Sequence, residues 1–208
     1  YNSYFGDDST FGVWLVIISV LLWILTFDLG LGNGLKNKLI EAKQKGETDK
    51  VKTLISSTYF STAVISGIFF LIGVVLTLFL DFNTLFNIAP EILSGWDLKI
   101  VVLIVLFGVC VEFLLKNVLY ILQALQKTAL SSSLMLISNV IILSFVTVFS
   151  SIGINNKFLI LAIVYSVSVN LPLLVTNIIV FRKTMKGNAP SLKKFNFNIA
   201  KQVMKLGV

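Results

Sequence analysis

Phe27-Asp28-Leu29-Gly30-Leu31-Gly32-Asn33-Gly34-Leu35-Lys36-Asn37-Lys38 is the stretch on which the reading of this chain turns. It closes an apolar run that begins at Val13, passes an acid, three glycines and an asparagine, and opens into lysines. Such a run reads as a membrane-spanning helix reaching the edge of the hydrocarbon, since ~20 apolar residues at ~1.5 Å each cross ~30 Å. Gly30 and Gly34 stand four apart and would share a helix face, where small residues let a neighbouring backbone approach closely. Asp28 falls ~23 Å from Val13, toward the same edge. It is a candidate for coupling or gating, because ionisable side chains at true membrane depth tend to be functional, the alternative being an acid near the boundary that is solvated or caps the chain.

Composition agrees with a membrane protein. The chain of 208 residues is 56% hydrophobic and 13% charged, with a mean hydropathy of +0.93, well outside the range of soluble domains. The net charge of +7 has to be read by position, since lysines gather on cytoplasmic loops whatever the partner, so nucleic-acid binding is set aside. Histidine is absent and the one cysteine, Cys110, lies inside an apolar run. That removes Cys/His metal clusters, haem ligation, Cys/His catalysis and internal disulfides, and no cofactor is expected.

Five apolar stretches are long enough to span: Val13 to Leu35, Leu54 to Leu80, Ile100 to Leu122, Leu130 to Ser151 and Phe158 to Phe181. All five are expected as helices, because an isolated strand would leave backbone groups unpaired in lipid. If the Lys36 to Lys52 loop is cytoplasmic, that side holds its six lysines, Lys127 and the seven basic residues from Arg182 to Lys205, against Lys99 and Lys157 outside. The bias orients the chain with Tyr1 outside. A chain entering from outside without a methionine is expected to lack one preceding helix, which would make a bundle of six. Residues 1–187 read as this bundle, with a very short outer turn from Gly153 to Lys157. Residues 188–208 read as an amphipathic linker, with Leu192, Phe195, Ile199, Val203 and Leu206 at helical spacing and lysines opposite, expected to lie on the inner leaflet.

Polar residues inside the spans are the candidate cargo contacts. Glu112 lies ~18 Å from Ile100 and Lys116 one turn beyond, acid first and four apart, a spacing at which they can pair. With Gly108 and Gln123 they fall within about 80° of arc at ~100° per residue, a wet face on the third span. Thr58, Ser61, Thr62 and Ser66 share a side of the second span, Ser138 and Asn139 punctuate the fourth, and Ser166, Asn170 and Asn177 align on the fifth. A serine or threonine in such a helix often bonds its own backbone, but a buried amide needs partners. Pro172 interrupts the fifth span and is expected to kink or hinge it. The Gly30-x-Gly32-x-Gly34 run lacks the spacing and the preceding strand of a nucleotide loop.

The residues Asp28, Gly30, Gly32, Asn33, Gly34, Asn37 and Lys38, the following Leu39-Ile40-Glu41-Ala42, the Thr58-Tyr59-Phe60 that opens the next span, and the Phe11-Gly12-Val13-Trp14 entry into the first form a pattern. It resembles bacterial polysaccharide transporters of the O-antigen and lipid-linked oligosaccharide flippase type, within the multidrug/oligosaccharidyl-lipid/polysaccharide exporter superfamily. The resemblance implies most of the first lobe of a two-lobed, MATE-like bundle in the bacterial inner membrane, opening alternately to each side. It implies undecaprenyl-pyrophosphate-linked oligosaccharide as cargo, H+ or Na+ coupling, and contact with membrane lipids and with polysaccharide polymerase machinery. Glu112, Lys116, Gln123, Asn139, Asn170 and Asn177 are then the cleft candidates, and Asp28 and Pro172 the gating ones. The alternatives are a cation-coupled multidrug exporter of the same superfamily, which favours an aromatic cavity with an acid, and a membrane polysaccharide-assembly enzyme or subunit. Against the enzyme, the loops are short and Asp81, Glu91 and Asp97 form no close acid cluster.

Overall fold

The computed structural model describes residues 2–150 and 156–207. Among them there are helices and turns but no strands, and five helical segments are long and apolar enough to cross a membrane. The protein is an all-α, polytopic membrane protein. In chain order the helices are α1 (Asn2–Phe5), α2 (Asp8–Leu22), α3 (Leu31–Gln44), α4 (Thr48–Phe79), α5 (Phe82–Phe86), α6 (Gly95–Leu115), α7 (Asn117–Ala124), α8 (Thr128–Phe149), α9 (Lys157–Ile179) and α10 (Phe197–Gly207). Spans two, four and five follow the expected stretches, although Ser151, the end of the expected fourth span, lies outside the described residues. So do Tyr1 and most of the Gly153 to Lys157 turn.

The first span departs from the expected continuous helix. α2 tightens into a 3-10 turn at Trp23–Thr26, then the chain passes through two left-handed residues, Leu29 (φ 50°) and Gly30 (φ 74°), before α3 begins. Hydropathy is continuous through this region, so it gives no sign of the break. The break comes from Asp28, whose carboxylate accepts the amide of Gly30 at 3.0 Å while its carbonyl accepts that of Leu31 at 2.9 Å. Short acidic side chains compete in this way with helical backbone bonding. Gly30 therefore does not lie on a packing face with Gly34, as its spacing had suggested; it supplies the left-handed conformation that a side chain would resist.

Gly34 and Gly32 do make close approaches. A Cβ on Gly34 would collide with the carbonyl of Val203 in α10, and one on Gly32 with the Tyr120 ring of α7. The partner of Gly34 is thus the terminal amphipathic segment and not a spanning helix. That segment also differs from expectation. It forms a 3-10 turn at Leu192–Lys194, and α10 starts only at Phe197. One side of it, Val203 with Ile199 and Met204, packs into the core formed by Leu31, Leu35, Leu39, Val51 and Tyr59, and Ala200 is buried. Two serine hydroxyls of α4 fasten it: Ser56 accepts the amide of Ser191 at 3.1 Å and Ser57 that of Asn196 at 3.0 Å.

α6 is the centre of the bundle, packed between α9 and α4. Ser166 donates to the Ile104 carbonyl at 3.3 Å, Asn170 to that of Gly108 at 2.9 Å and Asn177 to that of Leu115 at 3.0 Å, each pair 62 residues apart. A constant offset is the mark of two parallel helices in register. Gly108 lets them close, since a Cβ there would stand 2.5 Å from the Ser166 hydroxyl. Ser66 of α4 ties the other side by donating to the Cys110 carbonyl at 2.7 Å. Outward rows such as Ile68, Leu71, Ile72 and Val75 on α4 and Leu136, Val140 and Leu143 on α8 are exposed, as a helix surrounded by lipid requires.

Candidate functional site

Two interrupted helices face one another. α6 ends at Leu115 and α7 begins at Asn117, with Lys116 (φ −60°, ψ −16°) at the joint and the Leu119 amide turning to the Lys116 carbonyl at 2.9 Å in a three-residue step. The Lys116 ammonium reaches across to the carbonyl of Leu25, in the 3-10 turn that ends the first helix, at 2.5 Å, and lies 4.7 Å from the centre of the Phe113 ring. A cation at a helix C-terminus answers the negative end of the helix dipole and an unpaired carbonyl together. One turn along, the Tyr120 hydroxyl donates at 3.2 Å to the second carboxylate oxygen of Asp28. Asp28 thus holds the left-handed turn with one oxygen and α7 with the other.

Glu112 completes the group from one turn before Lys116. Both Glu112 and Asp28 are near enough for their charges to act on Lys116, yet among the described residues neither is in ion-pair contact with it. The expected Glu112–Lys116 pair is therefore replaced by a lysine turned to a backbone carbonyl. The helix takes a single three-residue step at Lys116. Glu112 is partly buried. Tyr120 is the member that the residue-by-residue reading missed. Its signal was the four-residue spacing 112, 116, 120, which aligns all three on one side of the helix.

The other candidates separate from this group. Asn177 is buried and spends its side chain on protein: it donates to the Leu115 and Leu173 carbonyls at 3.0 and 2.9 Å and accepts the Tyr59 hydroxyl at 2.7 Å. The Leu115 carbonyl is the one released by the three-residue step at Lys116, so Asn177 repairs the break. Asn170 donates to Gly108 and Ser166, and its own oxygen is sealed without a donor. Asn170 also lines, with Gly108 and Ser166, a groove between α6 and α9, whereas Asn177 is spent on these protein partners. Gln123 is partly buried on α7, and Asn139 is exposed halfway along α8. Pro172 sits inside a helix that runs unbroken from Lys157 to Ile179, so the expected hinge is not a helix break. Gly108 packs under Ser166.

Two grooves run beside α6. One of about 670 Å³ lies between α6 and α9, lined by residues such as Leu103, Phe107, Val167 and Leu174, and one of about 550 Å³ between α2, α4 and α6 includes Val20, Leu76 and Leu106. Both are apolar, and neither includes Asp28, Glu112, Lys116 or Tyr120. The charged group borders the break of the first helix instead. Comparison with protein-family models, with curated proteins and with solved structures returns no match.

Proposed function

We propose that this chain is most of the first lobe of a transporter of the oligosaccharide-flippase type. It would move a lipid-linked oligosaccharide across the bacterial inner membrane by alternating access, with the lysine-rich end cytoplasmic. The observation that supports this best is the convergence of Asp28, Glu112, Lys116 and Tyr120 at two facing helix breaks. Ionisable groups in a membrane bundle are costly and mark pathways. Discontinuous helices are where transporters place their binding groups, because freed backbone groups and helix-end dipoles are available there. In this reading the Lys116–Leu25 contact closes one state. A pyrophosphate-bearing head group competes for the ammonium, and Asp28 and Tyr120 set how far the first helix can straighten. The DLGLGNG motif, by which the chain resembles flippases, supplies one side of that joint.

The lobe is a carrier and not an enzyme in this reading, and a proton or sodium ion is the coupling species, with Glu112 as its first candidate. The rival within the superfamily, a cation-coupled drug exporter, would use the same acid against a lipophilic cation. The test is reconstitution of the full-length protein in proteoliposomes with a fluorescent lipid-linked oligosaccharide. Translocation that is lost in Lys116→Met and retained in Lys116→Arg supports the proposal. Export of lipophilic cations without sugar-lipid translocation selects the rival, and neither activity in active-membrane controls removes both.

A further inference from the structure

The segment between α9 and α10 presents a second surface, distinct from the face of α10 that is buried in the bundle. Leu192 and Phe197 bracket Lys193 and Lys194 and are 73% and 67% exposed. They are not loosely held. The amides just before Leu192 and just before Phe197, at Ser191 and Asn196, are bonded to Ser56 and Ser57, and Phe195 packs on Phe60 with ring centres 4.5 Å apart. Their depth follows from α4. From Ser57 to the far end of that helix at Phe79 is 22 residues, or roughly 33 Å at ~1.5 Å each. Hydrocarbon is about 30 Å thick, so with Phe79 at one boundary Ser57 stands at the other. On that placement Leu192 and Phe197, held beside Ser56 and Ser57, would stand near a membrane interface.

Charge decides the kind of lipid. Arg182, Lys183, Lys186, Lys193, Lys194 and Lys201 belong to this end of the chain, while Asp49 is the acid in contact, 3.3 Å from the Lys194 ammonium. We infer that the Leu192–Lys201 segment is a docking surface for anionic phospholipid head groups, with Leu192 and Phe197 inserted beside the acyl chains and Lys193, Lys194 and Lys201 engaging phosphate. This rests on the helix depth above and not on the nature of the cargo. It also assigns a role to the two large apolar side chains that the packing of α10 leaves uncovered.

Native mass spectrometry of the full-length protein, purified in detergent and offered equal amounts of phosphatidylglycerol and phosphatidylcholine, tests the inference. Each lysine near an anionic surface favours binding by about fivefold, so the Lys193→Gln/Lys194→Gln/Lys201→Gln variant should lose well over tenfold of its phosphatidylglycerol preference. In vesicles of the anionic lipid, Phe197→Trp should add emission that shallow-brominated lipid quenches and aqueous acrylamide does not. An unchanged lipid preference in the triple variant overturns the inference. So does a Phe197→Trp signal quenched from water, or one shielded from both quenchers by another part of the protein. All four positions are exposed or partly so, and an unaltered thermal transition checks that the variants fold. Transport is not read in either experiment, so failure here leaves the proposed function to its own test.

Discussion

Replacing Asn177 by leucine should weaken the bundle without touching the charged group, and the size of the effect can be worked out. The substitution keeps volume roughly constant but removes the donor to the Leu115 carbonyl and the acceptor of the Tyr59 hydroxyl, the two bonds that leave α9. Hydrogen bonds between membrane helices average about 0.6 kcal/mol and reach about 1.7, so the pair contributes about 1–3 kcal/mol. The stranded Tyr59 hydroxyl, at a residue only 8% exposed, adds a desolvation penalty of about 1–3 kcal/mol. The expected loss is about 2–6 kcal/mol. Tyr59→Phe alone should cost about 1 kcal/mol, and the double variant should be more stable than the sum of the singles, since no hydroxyl is then stranded. Equilibrium unfolding in mixed micelles measures all three. A loss under about 0.5 kcal/mol for Asn177→Leu, or strict additivity, would refute the assignment of this amide as a fastener.

Gly34→Ala should lever α10 away from α3, because the new methyl meets the backbone carbonyl of Val203 and not a movable side chain; proteolysis between Pro190 and Asn196 should accelerate. Gly12→Ala, in open space on α2, should instead gain up to about 1 kcal/mol, and equal protease sensitivity in both would contradict the packing. On the opposite face, the Thr84 hydroxyl holds the Asp81 carboxyl below the usual range, and Asp81 caps α5 through the amide of Asn83. A lowered carboxyl pKa stabilises the folded form above the unfolded value, and that contribution disappears as pH falls through the folded one. Amide exchange in residues 82–86 should therefore rise on acidification in the parent, and Asp81→Asn should flatten that dependence. Tyr120→Phe should free one oxygen of Asp28 while the other keeps the Gly30 turn; an altered helix content would argue that the tyrosine is structural.

The five spans and their order were legible because hydropathy and length are local signals. The interruption after Leu22 was not, since no proline or charge precedes it. It arises from an aspartate that bonds its own backbone two residues on, inside an otherwise apolar run. The polar stripes were visible, but their partners were not. Ser166, Asn170 and Asn177 gave no sign in the sequence of what they bond until α6 stands beside α9 in parallel register. Each then finds a carbonyl, two of them freed or exposed by Gly108 and Lys116. Likewise the amphipathic pattern of the last segment was real, but an apolar face says only that it is covered. Gly34 marks the helix that covers it.

Under the proposed function, the charged group at Lys116 acts on cargo while the Asn170 and Asn177 amides hold helices together. The most direct test of this division is the initial rate of sugar-lipid translocation per folded molecule, measured for full-length Lys116→Met and Asn177→Leu side by side. A charged hydrogen bond contributes about 1.5–3 kcal/mol, equivalent to about 10- to 100-fold, so Lys116→Met should fall by at least tenfold while Asn177→Leu, though less stable, should keep the parent rate. Parent-like translocation by Lys116→Met, or an equal loss in both variants at matched folded protein, would contradict it.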